Sequence, residues 1–399
     1  MRLLLGIIVL LTMGLGSAAQ AQFSLTEPPP KITFPDWKDI DVTDDATEYE
    51  VSFPSAVISP YPNNNVVPIS IFIPQNAKGP VPVVVVLHYW GASDLRPERS
   101  LATELARRGI ASAIMTLPYH LSRTPPGHGS GELAIEPDID RLKVTTLQSV
   151  LDVRRTIDFL MTRPEFDPSK IGITGTSLGA LITSLSFAVD QRITNASFVL
   201  GGADFAKIMW SSSRVVQQRD AMRRQGFTEE KLALALHDIE PLNYLPARRT
   251  GNSFVIAGKF DTVIPRESTD ALIKALPNVK VLWLTTGHYG GIFVQRRLMR
   301  EVANFFGAEF SGKTYASPKE VYAPTLRIGM KADTGAGFDV ALGLDLLQFD
   351  ARGNGFATLL VTPRGPSLFV GYHLTPVLAA GGFATLKNAG LGIFWSTVL

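Results

Sequence analysis

Ser169-Lys170-Ile171-Gly172-Ile173-Thr174-Gly175-Thr176-Ser177-Leu178-Gly179-Ala180-Leu181-Ile182 passes from an apolar strand, through a serine flanked by glycines, into an apolar helix. Asp167-Pro168 turns the chain into the strand, and the run 180–188 continues the helix. A serine at the tip of such an elbow sits in strained backbone, with neighbouring main chain too close for side chains two positions to either side. Gly175 and Gly179 occupy those two positions. That is the setting a serine nucleophile needs, whereas a glycine-rich turn in some other α/β fold is the plainer reading of the pentapeptide alone.

Strand-like segments extend outward from the elbow at 48–53, 67–73, 81–88, 110–116, 170–174, 196–200, 253–257 and 279–284, eight in all. Val83-Val84-Val85-Val86-Leu87 is a continuous apolar run, as expected of a parallel strand covered on both faces. Helical stretches intervene at 97–108, stopped by Gly109, and at 145–161, with Leu147, Val150, Leu151, Ile157 and Leu160 near helical spacing. Strands alternating with helices predict an α/β fold with a doubly wound, mostly parallel eight-stranded sheet over 46–312. Two insertions interrupt it. Residues 121–137, with Pro125-Pro126-Gly127, read as a flexible loop over the carboxyl edge of the sheet, and 203–250 reads either as a lid over a pocket or as an excursion covering a sheet edge.

Past residue 312 the period changes from helical to two. Segments 326–332 and 338–346 alternate strictly around Asp333-Thr334-Gly335-Ala336-Gly337, and 356–362 and 367–375 continue the pattern. The tail, 313–399, is therefore expected to be a small antiparallel β domain of four to six strands, packing on the first domain, binding a partner or self-associating. Alternation of this kind also occurs in outer-membrane barrels, but fewer than eight strands argues against one here.

A serine hydroxyl needs a base to take its proton, an acid to orient that base, and donors for the oxyanion that forms. In a sheet whose site gathers at the carboxyl ends of the strands, acid and then histidine should follow the serine. The strand at 253–257 delivers Asp261 before a Val263-Ile264-Pro265 turn, and the next delivers His288. Asp204, after the strand at 196–200, is the alternative acid. One oxyanion donor should be the Leu178 amide at the helix start, where the dipole favours negative charge. The other should come from Leu87-His88-Tyr89-Trp90-Gly91, with Trp90 the first choice, Tyr89 the alternative and His88 bracing the loop. His120 and Arg123 follow another strand end and are candidates for substrate contact, Arg123 for a carboxylate, or for bracing that loop.

Met1-Arg2, the apolar run 3–15 and Ala19-Gln20-Ala21 have the zones of a secretory signal. Cleavage after Ala21 is expected, giving a periplasmic or secreted protein with no stable membrane span, since 13 apolar residues are short for an uncleaved anchor. Residues 22–45, with Pro28-Pro29-Pro30, read as an extended lead-in rather than a packed element. The absence of cysteine excludes disulfides, an N-terminal cysteine lipid anchor and thiolate zinc sites. A net charge of +2 gives no general attraction for nucleic acid. The six histidines are scattered, with no H-E-x-x-H, so neither metal nor cofactor is expected.

LHYWG (87–91), RPEFDPSKIGITGTSLGA (163–180), GKFDTVIP (258–265) and TTGHYGG (285–291) together resemble the α/β-hydrolase superfamily, nearest to its dienelactone hydrolase-like and acetyl esterase-like branch. The resemblance covers about 48–310 and implies Ser177 as nucleophile, Asp261 as acid, His288 as base, and the Leu178 and Trp90 amides as oxyanion donors. Tyr89 stands where many relatives have glycine, which narrows the acyl pocket in that reading. The expected activity is hydrolysis of a small-molecule carboxylic ester through an acyl-enzyme. Peptidase, lactonase and thioesterase chemistry share the machinery, and a surface binding protein on the same fold is the reading from another class.

Overall fold

In a computed structural model, the structure describes residues 24–248, 250–335, 337–349, 355–375 and 377–398. The expected signal sequence and its cleavage site lie outside them. Ten strands form the main sheet: β1 (Lys38–Val42), β2 (Ala46–Pro54), β3 (Val66–Pro74), β4 (Val81–Leu87), β5 (Ala111–Met115), β6 (Phe166–Thr176), β7 (Ile193–Val199), β8 (Asn252–Gly258), β9 (Val279–Leu284) and β10 (Glu320–Val321). Their order is β1-β2-β3-β5-β4-β6-β7-β8-β9-β10. The first three strands are antiparallel to their neighbours, and β5 through β10 run parallel.

The eight strands expected from sequence are all present, and two edge strands join them. β1 is exposed along its whole length, so no alternation betrays it, and β10 is only two residues long. The lead-in is also more than an extended tether. Leu25 is buried, Phe34 packs edge-on to Phe53 and Phe159, and the Arg154 and Arg155 guanidiniums donate to the carbonyls of Leu25 and Pro30, both at 2.7 Å. Proline-rich backbone lacks internal donors, so its carbonyls are open to such capture.

Helices α1 (Arg96–Ala106), α2 (Ile139–Met161) and α3 (Leu178–Val189) follow β4, β5 and β6. Residues 203–250 hold α4 (Phe205–Ser211), α5 (Val216–Arg224) and α6 (Glu229–Ala235), and α7 (Arg266–Ala275) and α8 (Gln295–Phe310) follow β8 and β9. α2 starts six residues before its apolar periodicity does, because Asp138 caps it by accepting the Arg141 N–H at 3.1 Å. One apolar core lies between the sheet and α2, α3 and α7, and a second between the opposite face and α1 and α8. The tail forms six strands, β11 (Thr325–Asp333), β12 (Gly337–Gln348), β13 (Gly355–Thr362), β14 (Gly365–Thr375), β15 (Leu378–Ala384) and β16 (Ala389–Val398), which close into a barrel.

Candidate active site

β6 ends at Thr176 and α3 begins at Leu178, so Ser177 alone makes the turn, with φ 54° and ψ −114°. Its N–H is held by the Val199 carbonyl of β7 at 2.9 Å. The flanking glycines are steric necessities. A Cβ on Gly175 would lie 2.3 Å from the Gly179 carbonyl, and one on Gly179 would lie 2.5 Å from Leu87 O and 2.6 Å from His88 O.

The loops after β8 and β9 bring Asp261 and His288 to this turn. His288 Nε2 lies 2.9 Å from Ser177 Oγ, and Nδ1 lies 2.7 Å from Asp261 Oδ2. The other Asp261 oxygen, Oδ1, accepts the N–H groups of Val263 and Ile264, both at 2.8 Å. A carboxylate so occupied receives the Nδ1 proton, which leaves the Nε2 lone pair facing the serine hydroxyl. The chain Asp261-His288-Ser177 is thus set for proton transfer from Oγ to the imidazole. Asp204 is elsewhere: its carboxylate caps α4 by accepting the Lys207 N–H at 3.1 Å, and the histidine's partner is Asp261.

Leu178, at the first position of α3, has an N–H that no earlier turn of helix can accept. Facing it is the loop after β4. Buried His88 braces that loop, donating from Nδ1 to Tyr89 O at 2.8 Å and accepting the Leu117 N–H at Nε2 at 3.0 Å. Burial, then the neighbouring His120, lowers its pKa to about 3, so the imidazole stays neutral. The Trp90 indole donates to Gly131 O at 2.7 Å, and the Arg214 guanidinium lies 5.0 Å from its ring centroid. The loop is therefore tied both to the 121–137 segment and to the 203–250 insertion.

Neither candidate for substrate contact is available for it. Arg123 is fully buried; it pairs with Asp152 Oδ2 at 2.9 Å and donates to the carbonyls of Asn64 and Thr116. A fully enclosed guanidinium with four donor contacts inside the fold is out of reach of a substrate carboxylate, so Arg123 is a structural brace. His120 is equally buried, donates from Nδ1 to Pro118 O at 2.8 Å, and stands edge-on to His88 with ring centroids 4.8 Å apart. The 121–137 loop is also more constrained than its glycines imply, through Ser130 Oγ to Ala92 O at 2.6 Å and Gly131 N to Tyr119 O at 2.8 Å.

An apolar pocket adjoins Leu178, the residue after the serine, and Leu117, Leu181, Ile182, Phe205 and Met209 are among its walls. Phe205, Ile208, Met209, Leu236 and Ile239 come from the 203–250 insertion, which therefore supplies part of the wall. The insertion is built as a pocket wall, whichever of the two sequence readings is applied to its motion.

Glu98 was not legible as special, since an acid in the first turn of a helix is ordinary. It is buried, lining a small cavity with Leu87, Thr174, Gly175 and Thr176 at the end of β6, and its Oε2 has no hydrogen-bond partner among the described residues. Burial raises its pKa to about 7. Below about pH 4.5, where the unfolded chain also holds the proton, nothing is lost; stability falls as pH rises from there to the folded-state value of about 7, because the unfolded chain releases its proton while the buried carboxyl keeps it, and the loss is complete above that. Glu98→Gln should therefore leave the urea midpoint unchanged at pH 4 and raise stability at pH 8 by up to about 3 kcal/mol. Equal midpoints at pH 8 would show that the carboxyl is relieved by solvent.

Residues 16–201 match the protein family described as alpha/beta hydrolase domain containing 18. An uncharacterized protein of Mycobacterium tuberculosis is 28% identical over 195 residues, 48% of this chain and 45% of that protein. The chain thus spans about half the length of that relative. YtaP of Bacillus subtilis, named as a hydrolase, is 24% identical over 247 residues, 57% of this chain and 79% of that protein. Among solved structures, the acetyl xylan esterase from Paenibacillus sp. R4 superposes with a TM-score of 0.53 at 20% identity, covering 66% of this chain and 86% of that one. Acetyl xylan esterase 1 from Thermoanaerobacterium sp. JW/SL YS485 gives 0.52 at 16% identity, over 67% and 87%. Sheet order, elbow and these likenesses agree: residues from β1 to β10 have the α/β-hydrolase fold.

Proposed function

We propose that this protein is an exported serine hydrolase that cleaves carboxylic esters with an apolar acyl group. The observation that carries the reading is the unbroken chain from Asp261 through His288 to Ser177 Oγ at the strained turn. In the proposed cycle His288 Nε2 takes the Oγ proton as Oγ attacks the ester carbonyl, and the tetrahedral oxyanion is held by the Leu178 amide and an amide of the His88–Gly91 loop. Imidazolium returns the proton to the leaving alkoxide, the alcohol departs, and the acyl group remains on Ser177. Water, deprotonated by the same imidazole, then attacks the acyl-enzyme, and the carboxylic acid leaves as the proton passes back to Oγ. The apolar walls beside Leu178 support an apolar acyl group, and the branch of acetyl esterase-like enzymes supports ester over amide chemistry. Export rests on the 1–21 sequence alone.

A fluorophosphonate probe should label the wild-type protein at Ser177 and leave Ser177→Ala unlabelled, and p-nitrophenyl esters of increasing chain length should be hydrolysed. Labelling that survives in Ser177→Ala would place the reactive group elsewhere. Intact-mass analysis of secreted protein should give an N-terminus at Gln22, and a chain retaining Met1 would refute the cleavage.

A further inference from the structure

The barrel encloses an apolar cluster that includes Phe356, Leu360, Phe369, Phe383 and Phe394, yet its outer face is apolar as well. Every charged residue of its strands points inward: Arg327 and Lys331 are each 2% exposed and Asp345 is 3% exposed, with Asp339 buried and the Asp333 side chain enclosed. The interior pairs most of them, although Arg327 Nη1 and Asp339 Oδ2 have no hydrogen-bond partner among the described residues. Arg327 Nε reaches both Asp345 oxygens at 2.9 Å, Lys331 Nζ reaches Asp333 Oδ2 at 2.6 Å, and Arg327 lies 4.2 Å from the centroid of the Phe356 ring. The outward positions are the opposite. Ile328 is 52% exposed, Val361 57% and Leu374 63%, with Val340, Leu342 and Ile393 also facing out. Among the described strand residues, no Lys, Arg, Asp or Glu stands at an outward position.

Such a surface requires a cover, and the geometry indicates which. The apolar face runs around all six strands, so a second copy docked on one side would leave the opposite side exposed to water. Only a surrounding apolar medium covers the whole circumference. The backbone is equally suited to one: each strand is paired on both sides, with β11 closing on β16 from Arg327↔Val398 to Asp333↔Gly392, so no open edge remains. A nine-residue strand at ~3.3 Å per residue and a tilt of ~40° spans ~23 Å, close to the ~25 Å apolar band of membrane barrels. The turns remote from the main sheet carry Arg364, Lys387 and Asn388, as polar ends would.

We propose that the six-stranded barrel is seated in a lipid bilayer, with its outer face against the acyl chains, and anchors the hydrolase-fold domain at the membrane surface. This replaces the sequence-based expectation of no stable membrane span; no described helix is long and apolar enough to cross, but closed strands provide another route. The filled interior makes the barrel an anchor rather than a channel. Its root adjoins the candidate site: Thr325 Oγ1 donates to Thr285 O at 3.0 Å and Thr286 Oγ1 to Pro324 O at 2.7 Å, close before His288, and Tyr289, Ile292 and Phe293 beside it are exposed. The anchor thus holds Ser177 near the lipid surface, within reach of esters borne by the membrane.

The test uses the full chain, diluted from mild detergent into vesicles of phosphatidylethanolamine and phosphatidylglycerol and separated on a sucrose gradient. The wild-type protein should float, resist extraction by alkaline carbonate, and have tryptophan fluorescence quenched by lipids brominated on the acyl chains, with that quenching lost in Trp395→Phe. Leu342→Asp/Val361→Asp/Ile393→Asp should float at least ~10-fold less while keeping fluorophosphonate labelling, because a charge at mid-depth on the lipid face opposes insertion. Wild-type protein that stays at the bottom of the gradient and sediments as a defined dimer or monomer overturns the proposal, as does floated protein released by carbonate or unquenched by the brominated lipids. The triple variant floating as well as the wild type overturns the proposal too, whereas wild-type protein that floats but takes no fluorophosphonate label counts against the catalytic reading alone.

Discussion

Ser177→Ala is expected to lower turnover of a p-nitrophenyl ester by ~10⁴-fold or more while the protein remains folded. Alanine removes the attacking oxygen but keeps the Cβ, so the strain of φ 54° and ψ −114° persists and the stability of the folded state barely changes. Ser177→Gly should be as inactive yet more stable by about 1 kcal/mol, because it removes the Cβ from a backbone region that costs a side-chain-bearing residue of order 1–3 kcal/mol. The pair separates the chemical role of the hydroxyl from the conformational cost of presenting it. His288→Ala should lose a comparable factor, and Ser177→Ala/His288→Ala should be no slower than either single variant, since one proton transfer is lost only once. A folded Ser177→Ala enzyme with nearly full activity would refute the assignment, and additive losses in the double variant would mean that the two residues serve different steps.

The parts of this architecture that sequence reveals are those where local chemistry and global position coincide. Gly175 and Gly179 are forced by main-chain contacts of 2.3 to 2.6 Å, so the elbow has to be written into the sequence. Asp261 is legible for a similar reason: the Val263 and Ile264 amides that hold Oδ1 belong to its own turn. Arg123 misleads for the converse reason. Its position after a strand end suggests an exposed site, yet its partner Asp152 lies on α2 and its acceptors Asn64 and Thr116 lie before it in the chain, contacts that only the tertiary fold creates. Glu98 was hidden in the same way, because its meaning comes from what covers it.

Period two in the tail identified strands and turns, but alternation specifies two faces without saying which one meets water. The sequence 326–332 reads apolar, basic, apolar, glycine, apolar, basic, apolar, and either face could have been the core. Closure decides it: the Arg327 and Lys331 side chains fall on the concave side with Asp345 and Asp333, and the aliphatic residues are left outside. A solvated sheet would place the same residues the other way round. The polarity of the barrel is therefore a property of the closed fold, which alternation alone does not specify.

Arg123→Met should cost about 3–5 kcal/mol, read as a fall in the urea midpoint at unchanged m-value, because it strands the Asp152 carboxylate inside the protein. The fully enclosed pair joins three elements. Arg123 spans Thr116 O and Asn64 O, while Asp152 Oδ1 accepts from Ser55 Oγ at 2.7 Å and the Ala56 N–H at 3.1 Å. Asp152→Asn should be costly for the reciprocal reason, leaving a buried guanidinium without its counter-charge, and Arg123→Met/Asp152→Asn should cost clearly less than the two singles added together. This segment also carries Leu117 and Pro118 into the apolar pocket, so the pair fixes a pocket wall from behind without touching what binds there. The opposite result, an Arg123→Met protein of wild-type stability with a raised KM for carboxylate-bearing esters only, would restore Arg123 as a substrate ligand.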